Sequence, residues 1–575
     1  MPTIKPEPLS SVHELARRYV DRSAVLDPIL ATSRGVTGHD GEMTDYSPQG
    51  QAARAALDRA MLAELSHVGP VNARERIGVE VIRERLEVAV EQHEAGERLR
   101  DLRIIGSPFQ SIRQCFDLMA TTTEHDWEIV ATRMERVPQA LTSFEAALRE
   151  GLSRGLVAAR RQALVCAEQG ARWSGRKGGP AFFQTLVAKY EGVGARNPAL
   201  LRRLGAAAVD ASEAYATATR FLQEAYAPKA ADRDAVGADR YKIWARAFLG
   251  SDIDLVETYR WGWDELHRIE DRMVSVAARI LPGEPLAAVV HLLETDPGRS
   301  IDGVEAFRGW LQELMDRTIE ELEGDHFDIP EPVRRVEAMI APPGGAAAMY
   351  YTRPSEDFKR PGRTWYPTLG KTRFPLWGEV STAYHEGVPG HHLQLAQLTY
   401  MADSLNRFQR VAAFVPGYSE GWALYAERLM GELGYLENPD YELGMLRAQA
   451  FRAMRVIVDI GVHIGLAIPS NEAYHPGETW SPDLMLPFAV EHGHEPEDFL
   501  RSEVDRYLGW PGQAICYKVG ERAWLAVREQ ARSRTGKGFD LKAFHTRALN
   551  LGPMGLGQLE REMGATARPT SDSQA

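Results

Sequence analysis

The chain has 575 residues and a mass of 64.0 kDa, is 44% hydrophobic and 26% charged, and carries 12 Trp, 19 Tyr and 18 Phe. That composition belongs to a folded globular protein; at roughly 150 residues per domain it allows about four domains, or one large helical body. Lys and Arg total 67 against 80 Asp and Glu, a formal charge of -13, so no overall basic field is present to attract nucleic acid, which is not an expected partner.

Cys115, Cys166 and Cys516 are too few and too scattered for a disulfide framework or a metal clip, and buried thiols in a reducing compartment are expected. The opening M-P-T-I-K-P-E-P-L-S-S-V-H-E-L lacks a basic cluster followed by an apolar run, and no window approaches ~18 uninterrupted apolar residues. A cytoplasmic protein without a membrane partner is expected.

In chain order, apolar residues recur three and four apart over Arg74 to Glu97, Asp126 to Leu152, Leu200 to Ala227, Leu255 to Leu281, Val304 to Leu322 and Tyr441 to Leu466. Each stretch reads as an amphipathic helix, and the class is mainly α. Asn197-Pro198 and Leu281-Pro282-Gly283 punctuate helix ends. The rhythm changes between Val333 and Leu369, where V-R-R-V-E-A-M-I-A, A-M-Y-Y-T and R-T-W-Y-P-T are separated by Pro- and Gly-rich turns; these read as short strands of a small sheet. The expected organisation is a helical region over 1–330, a sheet-plus-helix region over 331–563 and a disordered tail over 564–575.

The run W-G-E-V-S-T-A-Y-H-E-G-V-P-G-H-H-L-Q-L places His385, Glu386, His391 and His392 within eight positions of an apolar helix-like segment. A zinc hydrolase needs two imidazoles on one helix face and a carboxylate to take a proton from water, usually as H-E-x-x-H. Here the position four after His385 is Pro389. At ~3.6 residues per turn a residue six on lies at about 240° and one seven on at about 340°, so an unbroken helix selects His392. Pro389 cannot donate to the His385 carbonyl, and Gly390 permits an unusual backbone, so a local bulge is expected that could bring in His391 instead. Spacing alone leaves both open. A third ligand is expected on the next helix, where P-G-Y-S-E-G-W-A-L-Y-A-E-R-L supplies Glu420 and Glu427; Ser419 is expected to cap that helix, with Glu420 in its first turn.

The strings Y-H-E-G-V-P-G-H-H-L-Q, S-E-G-W-A-L-Y-A-E and R-Y-L-G-W-P-G-Q-A-I-C-Y-K-V-G, with A-T-S-R-G-V-T-G-H-D and T-D-Y-S-P near the start, resemble the bacterial domain-of-unknown-function 885 family of predicted zinc metallopeptidases, related to the gluzincins. The resemblance spans nearly the whole chain. It implies a zincin-like helical body with the small sheet beside the metal-binding helix, and one zinc per chain. It favours His391 over His392, places the third ligand at Glu420 and makes Glu427 a supporting carboxylate. It further suggests Tyr517, with Tyr507 second, as the donor that steadies an oxyanion, a contribution of ~3 to 4 kcal/mol in such enzymes. Gln513 and Lys518 flank that tyrosine as substrate-binding candidates, and Ala348 to Thr352 with Arg353, Tyr351 among them, resembles the edge strand on which zincins lay a peptide.

The expected function is therefore zinc-dependent hydrolysis of amide bonds in short peptides or peptide-like molecules, with Glu386 as general base. The alternatives are a zincin-like scaffold that binds a peptide or metabolite without turning it over, and a metal-dependent hydrolase of a non-peptide amide or ester. Side-chain specificity and oligomeric state are not legible in the sequence.

Overall fold

A computed structural model describes residues 11–194, 197–341, 349–355 and 357–564. The N-terminal ten residues, Ala348 of the expected edge strand, the Pro-Pro-Gly-Gly turn and the tail beyond 564 lie outside them. The chain forms two compact units, Met1–Ile243 with Arg501–Pro511, and Trp244–Leu500 with Gly512–Ala575. Residues 244–330, grouped on sequence with the first helical region, thus belong to the second unit. The cause is packing: Gly262 lets the Leu255–Ile280 helix approach Val456 and Ile457 of the Pro439–Ile464 helix, and the Tyr259 hydroxyl donates to Ala467 O at 3.1 Å.

In the first unit, which also holds the Ala73–Glu94 helix, helices Val137–Ser153, Arg160–Trp173 and Pro198–Arg220 surround a core that includes Phe109, Trp127, Phe144, Phe183 and Tyr215. Their starts carry the capping chemistry expected of them: Asn72 accepts from Glu75 N, and Asn197 from Leu200 N ahead of Pro198. The single helix expected over Asp126 to Leu152 is two, Glu124–Met134 and Val137–Ser153, because Pro138 suits a helix start and not an interior. The A-T-S-R-G-V-T-G-H-D segment wraps the guanidinium of Arg133, which donates to Glu42 O, Pro28 O, His39 O and Thr32 Oγ1 and is fully buried. That motif is thereby accounted for as structure.

The second unit holds β1 (Ser300–Asp302), β2 (Val336–Ile340), β3 (Tyr350–Thr352), β4 (Gly362–Tyr366) and β5 (Arg373–Pro375). β1 pairs antiparallel with β5; β4 lies between β2, parallel to it, and β3, antiparallel to it, so β3 is an edge strand. The Val304–Leu322 helix covers the three-stranded sheet, with Gln312 bonded to both Val336 O and Ala338 N. Helices Pro416–Glu432 and Cys516–Thr535 touch backbone to backbone: a Cβ on Gly421 would lie 2.4 Å from the Gly520 carbonyl carbon, and one on Gly520 2.1 Å from Gly417 O. Among the described residues no helix is long and apolar enough to cross a membrane.

Candidate metal centre

The His-rich run folds as two helices, Glu379–Glu386 and His391–Tyr400, separated by Gly387–Gly390. This is a full interruption where a bulge was expected. The chain turns so tightly that Gly390 N donates to Tyr384 O and a Cβ on Gly390 would sit 2.0 Å from His385 O, so only glycine fits there. His391 becomes the first residue of the second helix, and the helical phase that linked His385 to His392 is lost.

The Glu420 helix completes the arrangement. Trp422 Nε1 donates to Pro389 O at 2.8 Å and Ser419 Oγ to Gln394 Oε1 at 3.0 Å, tying this helix to the interruption and to the helix that follows it. Ser419 is not the cap: the helix begins at Pro416, which needs no N–H partner at a first helical position, so Ser419 lies inside the first turns and is free to face Gln394.

His385, His391 and Glu420 bring their ligand atoms within 4.8 Å of one another. The Nε2 atoms of both histidines stand 3.4 Å from Glu420 Oε2. Four ligands at ~2.0 to 2.2 Å around a tetrahedral zinc are spaced by roughly 3.3 to 3.6 Å, so the donor set and its spacing fit such an ion. The rings are perpendicular, centroids 4.8 Å apart. His385 Nδ1 donates to Glu427 Oε1 at 2.7 Å; Ser381 donates to the other oxygen of Glu427, and Arg452 approaches within 3.7 Å.

Burial alone would push the His385 pKa down, but hydrogen bonds to Glu420 and Glu427 outweigh it and hold it at about 9. Burial would raise Glu420, yet the charges and hydrogen bonds of His391 and His385 hold its carboxyl well below the usual range. Glu427 is lowered in the same sense by Arg452 and His385 against its own burial. Glu386 closes its helix beside His385, is 7% exposed, and keeps Oε2 without a hydrogen-bond partner.

His392 is not part of the cluster. It is fully buried, donating from Nε2 to Val333 O at 2.7 Å and accepting at Nδ1 from the Tyr351 hydroxyl at 2.9 Å, and burial lowers its pKa to about 4. Tyr351 of β3 is thereby engaged, and Arg353 donates to Arg410 O at 3.1 Å, so neither side chain stands open to a ligand in the way expected.

Lys518 is a correction. Its ammonium is fully buried and donates to Glu521, Gln449 and, at 2.9 Å, Glu265, which occupies all three N–H groups. Tyr507 is another: it belongs to the first unit and its hydroxyl donates to Glu503 at 2.8 Å. Gln513 is 9% exposed and its carbonyl accepts from Cys516 N. Tyr517 is half-buried, with Arg455 at 4.9 Å and Arg452 at 5.9 Å from its ring, and so reaches the residue that flanks Glu427.

Sequence reasoning missed Ser381 and Arg452, the partners of Glu427. Ser381 is four residues before His385, so helical phase alone could have placed it on the same face as that histidine. Nothing in the sequence pointed to Arg452, which reaches Glu427 from a separate helix.

A family model described as "Bacterial protein of unknown function (DUF885)" matches residues 28–563. The fold is similar to that of a "putative lipoprotein" from Colwellia psychrerythraea, at 23% identity over 97% of this chain and 99% of that one, with a TM-score of 0.80. It is also similar to a "putative lipoprotein of unknown function" from Shewanella oneidensis, at 17% identity over 96% and 100% of the two chains, with a TM-score of 0.73. A comparison with curated proteins returns no match.

Proposed function

The chain belongs to the DUF885 family of bacterial proteins of unknown function, and from its site we propose that it is a zinc-dependent hydrolase of amide bonds in short peptides or peptide-like molecules. The observation that carries the reading is the His385, His391 and Glu420 donor set with the unpartnered carboxylate of Glu386 beside it. A zinc ion held by those three residues would polarise the substrate carbonyl and acidify a water molecule.

The protein's own groups then move the protons. Glu386 takes one proton from the attacking water and passes it to the nitrogen of the leaving amine as the C–N bond breaks, so its carboxylate is restored at the end of each turnover. Glu427 keeps His385 in the tautomer whose Nε2 lone pair points at the donor set. Tyr517 donates to the carbonyl oxygen as negative charge develops on it.

Purified protein is expected to carry one zinc per chain by elemental analysis, and to lose peptide hydrolysis on chelation and regain it with added zinc. Glu386→Gln should retain the metal and lower kcat by ~100- to 10,000-fold. A metal-free protein, or a Glu386→Gln variant that hydrolyses peptides as well as wild type, would overturn the reading.

A further inference from the structure

A cavity of about 250 Å³ lies in the first unit, walled by the Ser11–Leu26, Pro28–Ser33, Pro48–Leu65 and Ala73–Glu94 helices. Leu30 and Arg98 of its wall are exposed, whereas Val20, Ala24, Ala31, Ala55 and Leu57 are buried, so it runs from the surface into apolar surroundings. Its volume is far above the roughly 15 Å³ that one water needs and just below the roughly 300 to 1,000 Å³ of ordinary small-molecule sites, which suits a compact organic ligand.

The charged residues of the wall are Arg34, Arg54 and Arg98 against Asp27, Asp58 and Asp101. The aspartates are engaged within the protein. Asp27 accepts from Leu30 N at 3.1 Å and from the Thr44 hydroxyl at 2.6 Å, Asp101 is bound by the buried Arg103, and Asp58 accepts from the Tyr19 hydroxyl at 2.7 Å. Arg34 feels the charges of both Asp27 and Asp58. The remaining donors are less occupied. Arg54 uses only Nη1, on Leu26 O and Asp45 O; among the described residues Arg98 comes no nearer to a carboxylate than 3.8 Å, at Asp101, and neither ring nitrogen of His93 has a hydrogen-bond partner. Gln51, one helical turn before Arg54, donates to Arg98 O at 3.2 Å, which ties the Arg98 backbone to the Arg54 helix. Burial pushes the His93 pKa down, and the charges of Arg59, Arg98 and Arg54 add to it against Glu94, so this part of the wall is positive.

The hydrogen-bonding capacity left over is thus that of donors, with two guanidiniums among them, and selects an anion. The aspartates of the same wall penalise a second negative charge, which disfavours a phosphate dianion. The buried alanine, valine and leucine side chains favour an apolar body behind the charge.

We propose that this cavity binds a small monocarboxylate with an apolar body, its carboxylate held by Arg54 and Arg98 beside His93 and its hydrocarbon part set against Val20, Ala24, Ala31 and Leu57. The site consists of first-unit residues alone and does not rest on the hydrolase reading. Two sources share this chemistry: a free amino acid, whose ammonium would meet the second oxygen of Asp58, and a carboxylic acid without an amine.

Titration calorimetry on metal-stripped protein, in which no zinc can take a carboxylate, should show leucine and 4-methylpentanoate binding at least about tenfold more tightly than leucinamide, which has the same body and no carboxylate. Arg98→Gln, a change at an exposed side chain, should weaken both carboxylates by about tenfold. Arg54→Gln should act in the same direction, with the fold of each variant checked by circular dichroism, and His391→Ala should leave the binding unchanged. Both carboxylates should slow amide hydrogen exchange in the Ser11–Leu26 and Pro48–Leu65 helices. Leucine binding above 4-methylpentanoate, with the difference lost in Asp58→Asn, would uphold the site with a free amino acid as its ligand; equal binding, or a preference for 4-methylpentanoate, would uphold it with an amine-free acid. Leucinamide binding as tightly as leucine, no binding of either carboxylate at millimolar concentration, or an affinity that survives both Arg54→Gln and Arg98→Gln would overturn the proposal.

Discussion

His385 donates from Nδ1 to Glu427 at 2.7 Å, and Glu427 is itself held by Ser381 and flanked by Arg452. The ring therefore cannot turn without breaking a buried, charge-assisted bond, and its Nε2 stays directed at Glu420. Glu427→Gln should lower zinc affinity by ~10- to 100-fold in a chelator competition, with the fold retained. Unchanged affinity would mean that the pair is a core feature without bearing on the metal.

The adjacent histidines should part company on mutation. His391→Ala removes one of three protein ligands and is expected to abolish stoichiometric zinc. His392→Ala should keep the zinc but strand Val333 O and the Tyr351 hydroxyl, a loss of ~1 to 3 kcal/mol in urea unfolding. The reverse ranking would remove His391 from the centre.

Glu379 sets a pH dependence of stability. Its pKa is raised from 4.5 to about 7, so between those values the folded state holds more of the proton than the unfolded state does. Its contribution is favourable below the lower value, declines as pH rises through the window, and is fully unfavourable above the upper one. Glu379→Gln should therefore raise Tm by a few degrees at pH 8 and scarcely at pH 4.5. A gain that is the same at both pH values would not come from this ionisation.

Lys518 should behave as structure. Burial would raise Glu265, but Arg268 and Lys518 outweigh it and hold its pKa at about 2, and Glu521 shares the same ammonium. Lys518→Met leaves these carboxylates short of a buried counter-charge and should cost ~3 to 5 kcal/mol. If instead stability is unaffected and only KM rises, Lys518 is a substrate ligand after all.

What could be read from the sequence follows from the range of the interactions. The 3.6-residue rhythm found the long helices, and the composition change at Val333 found β2, β3 and β4, because both signals are local. The pair β1 and β5 escaped, since its strands are three residues each and more than seventy positions apart. Spacing could not choose between His391 and His392, because the choice is made by the Gly387–Gly390 turn, whose shape depends on Trp422 in another helix. Lys518 was misread for a related reason: a lysine beside a site motif looks like a ligand until Glu265, more than 250 residues earlier, is seen beneath it.

The glycine contact between Gly417, Gly421 and Gly520 leaves no room for a single methyl group. Glu420 sits next to one face of that contact, and Tyr517 lies one helical turn before the other. The two side chains therefore share one tightly packed frame, whose backbones can come no closer without a steric collision. If Tyr517 acts as proposed, it adjusts by rotation about its own bonds, since its helix is packed against the Glu420 helix. Gly421→Ala would be felt at the metal before it was felt in the fold.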